Sequence, residues 1–191
     1  MTRAPDPGPL PPDLPAPEDD GAAAHLPGTR LPPLELTATD GATVRVDELG
    51  RGERAVIYAY PRTGVPGEPE LVPDWDLIPG ARGCTQEACS FRDHHAELAR
   101  AGASVVGLST QTTGTQREVV ERLHLPFPLL SDSELELTGA LRLPTFEAAG
   151  EVLLKRLTLV VRDGAIEHVF YPVFPPDRHA DEVLRWLAAT R

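Results

Sequence analysis

The sequence predicts an α/β domain with a mixed central sheet flanked by helices, and three observations carry that expectation. From residue 54 onward, apolar runs of strand length alternate with amphipathic segments of helical length, an order that pairs strands in parallel through helical crossovers. Two turn signals, Asp40-Gly41 and Asp163-Gly164, each lie between short strand-like runs and add antiparallel hairpins. Finally, 191 residues that are 41% hydrophobic suffice for one substantial core rather than two.

Residues 1–29 are dense in Pro, Ala, Asp and Glu and poor in large apolar side chains, so they are expected to form a disordered, Pro-rich tail, leaving residues 30–191 as the domain. "LELTAT", the Asp40-Gly41 turn and "TVRV" form a first hairpin. "RAVIYAYP" is a continuous apolar run closed by Pro61, which suits a central strand buried on both faces. "TQEACSFRDHHAELARAG" then reads as one helix ended by Gly102 in the left-handed conformation. "ASVVGLS" is a second buried strand, "TGTQREVVERLH" a helix, "FPLLSD" a short strand and "SELELTGALRL" a helix. "LLKRLTLVVRDGAIEHVFYPV" forms a hairpin about Asp163-Gly164, and "DRHADEVLRWLAAT" is a closing amphipathic helix. This order fits a thioredoxin-like sheet. Residues 63–82, "TGVPGEPELVPDWDLIPGAR", form a long insertion loop between the first buried strand and the helix that follows, and a loop of that length in a compact domain is either functional or a sign that the elements are wrongly assigned there.

A formal charge of -11 without a large Lys/Arg cluster would repel a phosphate backbone, so nucleic acid is excluded as a partner. No apolar run approaches the roughly 20 residues that cross a bilayer, and the N-terminus lacks the apolar stretch of a secretory signal. A cytoplasmic location follows. In that reducing compartment the only two cysteines, Cys84 and Cys89, are expected to be reactive rather than a structural staple.

Cys84 begins the predicted helix and shares a face with Ala88, Phe91, His95 and Leu98, at intervals of four and three. Cys89 lies off that face. A five-residue step along a helix separates the two Cα atoms by roughly 8–9 Å, beyond the reach of about 7 Å that a disulfide allows. The pair therefore bonds only if the first turns unwind, as in a catalytic cycle. At the helix start, free N–H groups and the dipole favour an anion, so the Cys84 thiol is expected to ionise more readily than a free one. A thiolate there attacks the O–O bond of a peroxide and yields a sulfenic acid, with which a nearby thiol such as Cys89 condenses.

The segment "GCTQEACSFRDH" resembles the active-site segment of the Q-type peroxiredoxins, the bacterioferritin comigratory proteins, whose peroxidatic and resolving cysteines are four residues apart. The resemblance runs from about "LELTATDG" to the last helix. It implies a thiol-dependent peroxidase in which Cys84 attacks hydrogen peroxide or an organic hydroperoxide, Cys89 resolves the sulfenic acid as a disulfide, and a thioredoxin-like reductant restores the thiols. It implies no metal and no cofactor. Tyr60-Pro61 matches the Tyr-Pro that closes the family's first core strand. "KRLTLVV" is similar to the family's Arg-x-Thr strand, which assigns Arg156 to thiolate and peroxide, and Glu87 matches the residue that holds this Arg. Gly83 and Thr63 join Tyr60 and Pro61 as substrate-binding expectations. The chain departs from the family's Pro-x-x-x-Thr-x-x-Cys motif: Ala81 stands at the Thr position, and the insertion separates Pro61 from Cys84. Either Thr63 or another donor is brought back by the loop to supply the missing hydroxyl, or Arg156 and backbone N–H groups hold the peroxide alone.

Other readings of the same residues stand beside this one. The cysteines could serve a non-enzymatic redox sensor or interaction module that reshapes the 63–82 loop, or a protein thiol-disulfide oxidoreductase, although the latter favours a two-residue spacing. Cys84, Cys89, His94 and His95 could hold zinc, but adjacent histidines diverge on a helix. His95 reads more readily as a packed core residue than as a proton carrier, Tyr60 as structural, and Trp75 as an anchor for the insertion or a partner contact.

Overall fold

A computed structural model describes residues 6–190. Its centre is a seven-stranded mixed sheet in the order β2-β1-β5-β4-β3-β8-β9. The three expected parallel strands, β3 (Arg54–Ala59), β4 (Ala103–Ser109) and β5 (Leu129–Ser131), lie side by side in it. The hairpins stand on either side of them: β1 (Glu35–Ala38) with β2 (Thr43–Arg45), and β8 (Leu157–Arg162) with β9 (Ala165–Phe170). All six residues of β3 are buried. Val56 and Tyr58 face one core layer and Ala55, Ile57 and Ala59 the other, which is why that run carries no polar alternation.

The first layer packs α1 (Cys84–Asp93), α2 (His95–Arg100), α3 (Thr113–Leu123) and α5 (His179–Ala189) against the sheet. The second is covered by α4 (Glu136–Leu141) and by the N-terminal segment. The single helix expected after Cys84 is in fact two, broken at His94, whose ring Nδ1 lies 2.9 Å from the Ser90 carbonyl and Nε2 3.1 Å from Asp181. A side chain that competes for a backbone acceptor in this way weakens helix continuation.

Two further expectations are corrected. Residues 1–5 of the predicted tail lie outside the described residues, but from residue 6 the chain lies against the domain. Ala23 and Leu26 are buried in the second layer, Leu26 completely. Residues 28–31 exchange backbone hydrogen bonds with Gly164 and Ile166 beside β9. These buried side chains and backbone hydrogen bonds, with Asp20 accepting from Lys155 and Tyr171, hold a segment whose composition by itself favours disorder. The sequence reading also passed over a small antiparallel hairpin, β6 (Thr145–Ala148) with β7 (Glu151–Leu154), whose strands are too short and too mixed to show a period of two.

Candidate active site

The site is built at the start of α1. Gly83 precedes the helix with φ of 104°, and a Cβ there would come within 2.5 Å of Pro176 Cγ and 3.0 Å of Leu10 Cδ2. Only glycine allows both the left-handed turn and that approach. The turn delivers Cys84 to the first helical position, 5% exposed, at the base of an open cavity of about 450 Å3. Arg62, Gly64 to Pro66, Ala81 to Gln86, Arg122 and the N-terminal Asp6 and Pro7 are among its lining residues.

Arg156 converges on the same point from the C-terminal end of β3, where its neighbour Leu157 pairs with Ala59. It stands one residue before β8 rather than within it, and is 3% exposed. Its Nη2 lies 3.2 Å from Cys84 Sγ and 3.2, 3.3 and 3.2 Å from the carbonyls of Gly80, Ala81 and Arg82. Its Nη1 donates to Glu87 Oε2, and both side chains of that ion pair are buried. One guanidinium thereby holds the thiol, the turn before it and the helix after it. Five donors in a rigid fork can do this; an ammonium cannot.

The electrostatics revise the sequence reading. Burial is the largest influence on the Cys84 thiol and pushes it above its ordinary range; the Arg156 charge and hydrogen bond oppose this, as does the Arg62 backbone N–H, while Glu87 adds to it. Burial likewise pushes the Glu87 carboxyl up, against the pull of Arg156 and His179. Helix position alone overlooks the desolvation of a thiol that is almost entirely buried. Cys89, buried on the next flank of α1, is also pushed up by burial. Both cysteines are free thiols.

The other expected residues divide. Gly83 lines the cavity with Cys84. Tyr60, Pro61 and Thr63 are buried and form none of its wall. The Tyr60 ring stacks on Tyr58, 5.7 Å between centroids, and the Thr63 backbone exchanges hydrogen bonds with the Gln111 amide at 2.8 and 3.1 Å. Thr63 is thus held by its backbone beside Gln111, outside the cavity wall. The methyl of Ala81 is fully buried with Trp75, Ala148 and Leu153. His95 packs near Phe127, 5.9 Å between centroids. No cluster of three His, Cys, Asp or Glu capable of holding a metal occurs among the described residues, and the four residues of the zinc reading are not brought together.

Sequence reasoning also missed part of the site. Residues 63–82 fold over a short 3-10 turn, Trp75–Leu77, whose Trp75 is buried against β6–β7, 6.2 Å from the Phe146 ring centroid. Arg82 pairs with Glu70 and Asp76, and Arg122 donates to the Gly64 carbonyl at 3.1 Å. The insertion is thus fixed at both ends and forms one wall of the cavity. The N-terminal segment forms part of another.

Comparison with known proteins agrees with this geometry. The family model described as Redoxin matches residues 26–184. The chain is 32% identical over 164 residues to peroxiredoxin Bcp of Escherichia coli, spanning 84% of this chain and 94% of that one. It is 27% identical over 164 residues to the chloroplastic peroxiredoxin Q of Sedum lineare, spanning 86% and 78%. Among solved structures, peroxidoxin BcpB of Mycobacterium tuberculosis superposes with a TM-score of 0.70 at 30% identity, covering 87% of this chain and 99% of that one. The chain belongs to the Redoxin family and, within it, to the Q-type peroxiredoxins, thiol-dependent peroxidases of thioredoxin-like fold.

Proposed function

We propose that Cys84 is the peroxidatic cysteine of this peroxidase, Cys89 its resolving cysteine, and Arg156 with Glu87 the pair that positions and charges the site. The observation that carries this reading is the guanidinium nitrogen of Arg156 at 3.2 Å from Cys84 Sγ, with both side chains buried. A cation there favours the thiolate and stabilises negative charge that develops on the peroxide oxygens. The thiolate attacks the nearer oxygen of ROOH, the O–O bond breaks, and the leaving alkoxide takes up a proton as ROH, leaving Cys84 as the sulfenic acid. Cys89 then displaces the sulfenic oxygen as water and a Cys84–Cys89 disulfide forms. A thioredoxin-like dithiol reduces that disulfide by exchange.

The substrate reading extends from hydrogen peroxide to organic hydroperoxides. The cavity volume is many times the roughly 30 Å3 share of a water-sized molecule, and Val65, Pro66 and Leu123 line it beside Arg62 and Arg122. A cytoplasmic location is part of this reading, since a reducing compartment would return the Cys84–Cys89 disulfide to two thiols. No helix among the described residues is long and apolar enough to cross a membrane.

The assignment of the two thiols is tested with Cys84→Ser and Cys89→Ser, followed by peroxide consumption and protein mass. Cys84→Ser is expected to consume no peroxide. Cys89→Ser is expected to react once and gain one or two oxygens without losing two hydrogens. Equal loss of the first oxidation step in both variants would reject the assignment, and sustained turnover with thioredoxin and its reductase separates an enzyme from a sensor that oxidises once.

A further inference from the structure

The N-terminal segment crosses the turn that carries Cys84. Gln86, in the first turn of α1, donates through Nε2 to the carbonyls of Pro7 at 3.4 Å and Gly8 at 3.5 Å. Leu10 lies over Gly83, where a Cβ would stand 3.0 Å from its Cδ2, and Pro17 lies over Gly80, at 3.6 Å by the same measure. Farther along, Asp20 accepts from Lys155 Nζ and from the Tyr171 hydroxyl, both at 2.7 Å. Ala23 and Leu26 then enter the core. Residues 7–17 therefore run along the Gly80–Gln86 stretch, fixed at their far end by Asp20 and Leu26. Six of these eleven residues are proline, which limits the freedom lost when the segment lies down.

Forming the disulfide needs this same stretch to move. Cys84 and Cys89 both lie within the hydrogen-bonded α1, and an intact helix holds them too far apart to bond. When the first turn unwinds, Gln86 leaves its place beneath Pro7 and Gly8, and Gly83 slides from under Leu10. We propose that residues 7–17 are a latch on the Cys84 helix: by resting on Gln86 and Gly83 they hold its first turn wound, slow the closing of the Cys84–Cys89 disulfide, and prolong the life of the Cys84 sulfenic acid. This inference rests on the two-cysteine cycle proposed above. The latch is weak by construction, because both hydrogen bonds are long and Leu10 is only half-buried. A sulfenic acid that persists meets a second hydroperoxide, which oxidises it to the sulfinic acid and is itself reduced to the alcohol. The latch thus sets how much peroxide the enzyme survives.

The experiment compares the full chain, a variant lacking residues 1–17, and Leu10→Ser. The truncated variant keeps Asp20, Ala23 and Leu26. Each reduced protein receives one equivalent of hydrogen peroxide, and acid-quenched samples are weighed for the loss of two hydrogens. Removing one hydrogen bond or a small contact is expected to speed closure about fivefold, with less sulfinic acid at any given peroxide excess and faster amide exchange at residues 85–89 of the reduced protein. If the truncated variant fails to fold by circular dichroism, Leu10→Ser decides. Closure at an unchanged or lower rate in the folded variants overturns the latch while leaving the two-cysteine cycle intact. A full chain that never loses two hydrogens overturns both.

Discussion

Arg156 and Glu87 form a buried pair whose worth is unequal when either member is removed. Arg156→Leu leaves the Glu87 carboxylate, fully buried, without its cation, and a lone buried charge costs about 3–5 kcal/mol. It also removes the influence that lowers the Cys84 thiol against burial. The sign follows: with the guanidinium gone the thiol ionises only at higher pH, so the plot of Cys84 oxidation rate against pH moves to the alkaline side. Below the thiol's own pKa the rate should fall by about 100-fold, the usual loss of one preorganised donor. The double variant R156L/E87L should recover much of the lost stability and none of the lost rate, because no charge is then left buried and no cation meets the sulfur. Chemical denaturation and single-turnover oxidation across pH, measured on both variants, separate the two effects. A double variant as unstable as the single would show that the pair contributes packing alone.

The hairpin β6–β7 exists to seat the insertion. Trp75 is 3% exposed and shares a small cluster with Ala81, Ala148 and Leu153, and Ala81 is both the packing partner of Trp75 and a carbonyl acceptor of Arg156. An anchor in residues 63–82 is thereby coupled to the turn that carries Cys84. Trp75→Ala should destabilise the protein by about 3 kcal/mol, the low end for a buried aromatic in a cluster of this size. It should also slow the first oxidation step, since the 80–83 turn loses its support. Thermal melting and peroxide kinetics check the two halves, and an unaffected rate would mean that Arg156 holds the turn by itself. The same coupling explains why the position of the family threonine can carry alanine here: the methyl is buried where a hydroxyl would need a partner.

For the molecule as a whole, the position of the N-terminal cut matters more than its length. Removing residues 1–17 spares the core, whereas removing residues 1–27 takes away Leu26, fully buried, and Ala23. It also removes the Asp20 contacts to Lys155 and Tyr171 and the pairing of His25 with the Leu141 carbonyl at 2.8 Å. Loss of a core leucine alone is worth about 3 kcal/mol. A chain of this size should then melt about 6–12 °C lower. A melting temperature unchanged by the longer deletion would show that the segment contributes nothing to the second core layer.

Local pattern carried most of the architecture. The buried runs at 54–59 and 103–109, the two turn-marked hairpins and the closing amphipathic helix each announce themselves within a window of ten or so residues, because hydrophobic period and turn chemistry are local properties. The spacing of Cys84 and Cys89 was equally legible, and with it the conflict between an intact helix and a disulfide. Arg156 and Glu87 were found through their place in a family pattern. What remained hidden depends on atoms distant in sequence. Leu26 reads as part of a polar tail until α4 and β9 supply the surface it covers. Thr63 reads as a residue of the cavity until the fold buries it outside the cavity wall, with its backbone bonded to Gln111, 48 residues on. The Cys84 thiol reads as acidic from its helix position, and its environment is reversed by burial under Arg156, Pro176 and the N-terminal segment. Period and spacing are written along the chain, whereas desolvation and contact exist only after distant segments have closed around a group.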